Sequence, residues 1–157
     1  MTGAVELVEL LLSKGQILTT AESCTGGMVA AAITDIAGSS AVFDRGFVTY
    51  SNAAKSEMLG VSKKLLETFG AVSEQVAMSM AQGALTHSAA TISIAVTGIA
   101  GPTGGSETKP IGLVHFAVAQ RRGKSISDRQ ILKGNREQVR IQARDHVLQM
   151  LGKALAG

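Results

Sequence analysis

Ile17-Leu18-Thr19-Thr20-Ala21-Glu22-Ser23-Cys24-Thr25-Gly26-Gly27-Met28-Val29-Ala30-Ala31-Ala32-Ile33 is the stretch on which the fold turns. Its opening, residues 17–20, is short, apolar and threonine-rich and reads as a strand, whereas residues 28–33 are Ala-rich and apolar throughout and read as a buried helix. Residues 21–27 are then a strand-to-helix turn. A turn of this kind sets one hydroxyl or thiol above the end of a sheet, with the N–H groups of the helix's first turn aimed at the same spot. A nucleophile there would take its oxyanion donors from the backbone of Thr25, Gly26 and Gly27. In the plainer reading Ser23 and Thr25 only cap the helix and the glycines only make the turn, and the turn by itself does not separate the two.

Working outward, residues 5–12 place apolar side chains at helical spacing with Glu6 and Glu9 on the other side, and Gly15 is a natural stop. Residues 42–50 read as a second strand with a turn or bulge near Arg45-Gly46, and Asn52 reads as the N-cap of a short helix, 53–59, ending at Gly60. Ser62 and Ser73 repeat the capping signal ahead of helices at 63–69 and 74–87. Residues 91–97, Thr-Ile-Ser-Ile-Ala-Val-Thr, are the clearest strand, and two more follow at 111–119 and 125–132, joined by the hairpin turn Arg121-Arg122-Gly123-Lys124. Asn135 and Gln138 form a capping-box pair at the head of a last amphipathic helix. Strands interleaved with helices predict a three-layer α/β/α sandwich with a mixed, mostly parallel five-stranded sheet, one domain over residues 1–157. In such sheets ligands sit at the carboxyl ends of parallel strands, here 21–27, 50–55 and 97–105.

Composition narrows the function. The chain has 157 residues, 45% hydrophobic, enough for one well-filled core. With a single cysteine, Cys24, it makes no intrachain disulfide, and its N-terminal helix is too charged for a leader or a membrane span, so a cytoplasmic protein is expected. Aromatic residues are 3% of the chain with no Trp and one Tyr, which removes the stacking platforms that single-stranded nucleic acid requires. Arg121, Arg122, Lys124, Arg129, Lys133, Arg136, Arg140 and Arg144 crowd the last quarter, either to meet a phosphate or as a solvated face. Gly98-Ile99-Ala100-Gly101-Pro102-Thr103-Gly104-Gly105 allows close backbone approach to a ligand, but lacks both the closing Gly-Lys-Ser/Thr of a P-loop and a following helix.

A serine nucleophile needs a proton acceptor. His87, His115 and His146 do not sit at strand ends with a carboxylate suitably placed, and three scattered histidines make a poor metal site, so neither a metal nor a cofactor is expected. Lys55 is the better candidate, near the start of a helix where the dipole disfavours an ammonium and burial lowers its pKa further; the alternative is an exposed lysine on a short helix. A thiol hydrolase built on Cys24 is disfavoured by the missing histidine partner.

Residues 21–27, Val48-Thr49-Tyr50-Ser51-Asn52-Ala53-Ala54-Lys55, residues 97–105, Lys109-Pro110-Ile111-Gly112 and Gly134-Asn135-Arg136-Glu137-Gln138-Val139-Arg140 together resemble the blocks of the CinA C-terminal domain family, in the family's order and over essentially the whole chain. That resemblance implies a nicotinamide-nucleotide amidase. Ser23 would be the nucleophile, Lys55 its base, and the amides around Cys24, Thr25 and Gly26 the oxyanion site. Thr49, Tyr50, Asn52, Thr97, Gly98, Ala100, Gly101, Gly104, Gly105, Arg136 and Arg140 would receive the nucleotide, with Arg140 the stronger phosphate ligand of the two arginines. The expected partner is a small-molecule nucleotide, without nucleic acid or membrane, and the expected assembly a homo-oligomer, dimer or higher. A non-catalytic nucleotide-binding or partner-docking module of the competence-associated type is the alternative.

Overall fold

A computed structural model of the chain describes residues 2–157. Strands β1 (Leu18–Glu22), β2 (Phe43–Val48), β3 (Ile92–Gly98), β4 (Leu113–Gln120) and β5 (Ile126–Ile131) form one sheet in the order β2-β1-β3-β4-β5. β2 and β3 are both parallel to β1, β4 is antiparallel to β3, and β5 is antiparallel to β4, so four strands point one way and β4 the other. This is the mixed, mostly parallel sheet that the strand and hairpin pattern requires.

Helices α1 (Ala4–Ser13), α2 (Met28–Thr34) and α6 (Arg136–Ala156) cover one face, and α3 (Asn52–Leu59), α4 (Lys63–Phe69) and α5 (Glu74–Thr86) the other. The two-residue period of the strands makes the layers unequal. Ile92, Ile94, Val96, Val114, Phe116 and Val118 pack with the first helix layer, while Ala95, Ala117 and Ala119 pack with the second and let α5 lie close against the sheet. α6 is fixed by Val139, Ala143, Val147, Met150 and Leu151, all buried; truncating any of the larger ones to alanine would cost about 2–5 kcal/mol. The helix that carries both candidate arginines is therefore part of the core.

Most boundaries fall within a residue or two of expectation, and three differences have a local physical cause. β1 runs on to Glu22, because that carboxylate finds buried donors and so does not end the strand. The irregularity in β2 falls at Asp44: Leu18 pairs with Phe43 and Thr19 with Arg45, which leaves Asp44 out of register to accept from the Ala89 amide at 3.1 Å. The cap of α3 is Ser51, whose hydroxyl accepts from the Ala54 amide at 3.0 Å, so Asn52 is the first helical residue rather than the cap.

Candidate active site

The carboxyl ends of β1, β2 and β3 lie side by side and continue into the turn after Glu22, the segment before α3, and the glycine loop. Together with the start of α6 they line an open cleft of about 250 Å³, whose walls include Ser23, Cys24 and Lys55.

Ser23 and Lys55 meet there. Lys55 Nζ lies 2.9 Å from Ser23 Oγ, 2.9 Å from the Thr49 carbonyl and 3.2 Å from the Tyr50 carbonyl. The side chain is 1% exposed, and burial pulls the ammonium down from its ordinary 10.5 to about 8. Since a neutral amine has two N–H groups and one lone pair, the two carbonyls can take both hydrogens and leave the lone pair facing Ser23 Oγ. Burial is the main cause of that lowering. The Cys24 thiol beside Ser23 is pushed up to about 11, chiefly by burial, and so is a thiol rather than a thiolate at neutral pH.

The turn after Ser23 corrects one expectation. The first-turn amides of α2 are not free, because the Glu22 carboxylate, 1% exposed, takes them: Oε1 accepts from the Gly27 amide at 3.2 Å, the Val29 amide at 2.9 Å and the Thr25 hydroxyl at 2.6 Å, and Oε2 from the Ala30 amide at 3.1 Å. Gly26 N–H donates to the Ser23 carbonyl at 3.1 Å, which closes the turn and removes Gly26 from the oxyanion donors. Among the described residues the amides of Cys24 and Thr25 donate to no backbone carbonyl and are the two left beside Ser23. Glu22 was missed in the sequence. Its signal was indirect: α2 begins after Gly27 with no side-chain cap, and the nearest carboxylate is the one that closes β1.

Arg140 is also corrected. Its Nε donates to the Cys24 carbonyl at 2.9 Å and its Nη2 to the Thr25 carbonyl at 3.2 Å, so it grips the turn from behind and does not line the cleft. Arg136, one turn earlier, lines the cleft and donates to the Gly101 carbonyl at 2.9 Å and the Tyr50 hydroxyl at 2.8 Å, with further N–H groups to spare. Tyr50, Asn52, Thr97, Gly98, Ala100, Gly101 and Gly104 line the cleft as expected, but Gly105 and Thr49 do not. Gly105 faces Ile111, and Thr49 is buried, with its carbonyl holding Lys55. Ala71 and Val72, which no motif marked, complete the lining together with Ile99 and Thr103 of the glycine loop; the Thr97 hydroxyl holds the Ala71 carbonyl at 2.9 Å. The histidines lie elsewhere, His146 against Asp128 at 2.6 Å and His87 against the Gly83 carbonyl at 2.8 Å. Among the described residues no cluster of three or more His, Cys, Asp or Glu is placed to hold a metal, and no helix is long and apolar enough to cross a membrane.

Residues 2–155 match the family model of the CinA C-terminal domain. The chain belongs to the CinA C-terminal domain family. Within curated proteins, this CinA domain is 57% identical over 140 residues to a nicotinamide-nucleotide amidohydrolase of Enterobacter agglomerans, covering 89% of the chain and 85% of that protein. It is 54% identical over 143 residues to the nicotinamide-nucleotide amidohydrolase of Escherichia coli K12, covering 91% and 87%. Among solved structures, a competence/damage inducible protein of Agrobacterium tumefaciens superposes with a TM-score of 0.91 at 48% identity, over 100% of this chain and 98% of that one.

Proposed function

We propose that this CinA domain is an amidohydrolase that converts nicotinamide mononucleotide to nicotinate mononucleotide and ammonia. The observation that carries the chemistry is the contact between Ser23 Oγ and a buried lysine amine brought to a pKa of about 8. The activity for which the amidohydrolase relatives are named supports the substrate class.

The steps follow from the donors on hand. Ser23 Oγ attacks the carboxamide carbon as its proton passes to the Lys55 amine, and the negative charge that develops on the carbonyl oxygen is met by the Cys24 and Thr25 amides. Lys55 then returns that proton to the amide nitrogen, the C–N bond breaks, and ammonia leaves an ester on Ser23. Water attacks the ester with Lys55 again taking the proton, which releases the carboxylate and restores the serine. At neutral pH roughly a tenth of the Lys55 population is in the required unprotonated form.

The phosphate is assigned to Arg136, which reaches into the cleft with unused N–H groups and is held there by Gly101 and Tyr50. The ribose and ring are assigned to the wall of Ala71, Val72 and the 98–104 loop, where small side chains and glycines line the cleft. The test is ammonia release from nicotinamide mononucleotide beside nicotinamide riboside and free nicotinamide. Preference for the mononucleotide is expected. Turnover of the free base alone would overturn the substrate assignment, and ligand binding without ammonia release would favour a non-catalytic module.

A further inference from the structure

We propose that Arg140 is a positioning residue of the oxyanion site, acting through the peptide groups of the nucleophile turn; this rests on Ser23 being the nucleophile. The guanidinium is half-buried, has no carboxylate partner among the described residues, and gives two hydrogen bonds to the neutral carbonyls of Cys24 and Thr25. A permanent cation committed to two backbone carbonyls does more than a neutral donor would. In a trans peptide the C=O and N–H point in opposite directions, and the carbonyl of Cys24 shares its peptide with the N–H of Thr25. Pulling that carbonyl toward Arg140 turns the Thr25 N–H away from α6, and this is one of the two amides that donate to no backbone carbonyl. The charge also polarises the peptide, making its N–H a stronger donor to a developing oxyanion.

The turn is held from a second side. Glu22 accepts from the Thr25 hydroxyl and from three amides beyond it, so the chain on either side of the 24–25 peptide is fixed and the remaining freedom is rotation of that peptide itself. Arg140 removes that freedom. Arg136, one turn away on the same helix, faces the cleft instead, so the two arginines divide the work: one meets the ligand and the other sets the donor.

The experiment compares Arg140→Met, Arg140→Lys and Arg136→Met with the wild-type chain in two assays. The first is steady-state ammonia release from nicotinamide mononucleotide and from the phosphate-free riboside. The second is the rate at which a small fluorophosphonate labels Ser23, a reaction that also develops an oxyanion but needs no pyridine or phosphate recognition. Arg140→Met is expected to lower kcat on both substrates about 10- to 100-fold, short of the roughly 10²–10³ lost when a donor is deleted outright, with KM nearly unchanged and labelling slowed by a similar factor. Arg140→Lys should recover part of both, because an ammonium can still reach one carbonyl, and it serves as the test variant should Arg140→Met fail to fold. Arg136→Met should instead raise KM for the mononucleotide more than for the riboside. A rise in KM confined to the mononucleotide, with unaltered labelling in the Arg140 variants, would overturn the proposal and return Arg140 to the phosphate. If the wild-type chain releases no ammonia yet labelling falls in the Arg140 variants, the substrate reading fails and the positioning role stands. A wild-type Ser23 that cannot be labelled sinks both.

Discussion

Replacing Lys55 with methionine separates the chemistry of this residue from its effect on stability. The ammonium is buried and its pKa falls from 10.5 to about 8, a difference that at about 1.4 kcal/mol per unit amounts to roughly 3 kcal/mol. The sign follows from proton counting. Between about pH 8 and 10.5 the unfolded chain holds a proton on Lys55 that the folded chain has lost, so stability rises with pH across that window. Below it the folded state carries the full penalty of a buried charge, and above it none. Methionine removes the penalty but leaves the carbonyls of Thr49 and Tyr50 without their donor, at about 1–3 kcal/mol each, so the two variants can be almost equally stable at pH 7. The pH dependence of the difference is what isolates the lysine. Urea unfolding of wild-type and Lys55→Met protein at pH 7, 9 and 10.5 should show the wild type gaining about 3 kcal/mol relative to the variant. A difference that stays flat over that range would refute a depressed Lys55. In parallel, wild-type kcat/KM should rise about tenfold per pH unit up to about pH 8 and then level off, while the variant is inactive throughout.

Ser23→Ala should lower turnover by several orders of magnitude with ligand affinity retained; if it keeps more than about a tenth of the activity and Cys24→Ala does not, the thiol is the nucleophile. Arg136→Ala should raise KM for the mononucleotide about 10- to 100-fold and that for the riboside far less, since it loses one charge-assisted contact of roughly 1.5–3 kcal/mol; equal losses on both would assign the phosphate elsewhere. Glu22→Gln puts at least one donor where the carboxylate only accepts, so chemical denaturation should show a loss of about 2 kcal/mol or more together with slower turnover, and an unchanged midpoint would count against its role in the turn.

The layers and the pairing of Ser23 with Lys55 could be read before any coordinates, for a common reason. Strand periodicity and serine caps are local signals, and Ser23 and Lys55 each stand in a block of residue types that the family resemblance marks. Glu22 and Arg140 escaped because their meaning depends on depth. Arg136 and Arg140 share a helix face, but one turn advances about 5.4 Å along the axis, which carries the second guanidinium past the cleft to the back of the turn. Glu22 reads as a polar residue closing a strand until α2 is placed over it, and only then do three amides converge on its carboxylate. Ala71 and Val72 were invisible because they reach the cleft from a connection between helices, with no sequence signature of their own.

Ser23 and Lys55 stand 32 positions apart, the first just after β1 and the second in the helix that follows β2. A newly made or denatured chain has a lysine at its ordinary 10.5, protonated at neutral pH, and a serine no more reactive than any other. On the proposed mechanism the reactive hydroxyl is therefore created by folding, at the moment when parallel strands with an intervening helix close on each other, a non-local step that is slow compared with helix formation. During refolding from urea, helical circular dichroism should return first and ammonia release later, so that turnover times the closure of this crossover. An incompletely folded chain is, by the same token, harmless to the amides around it.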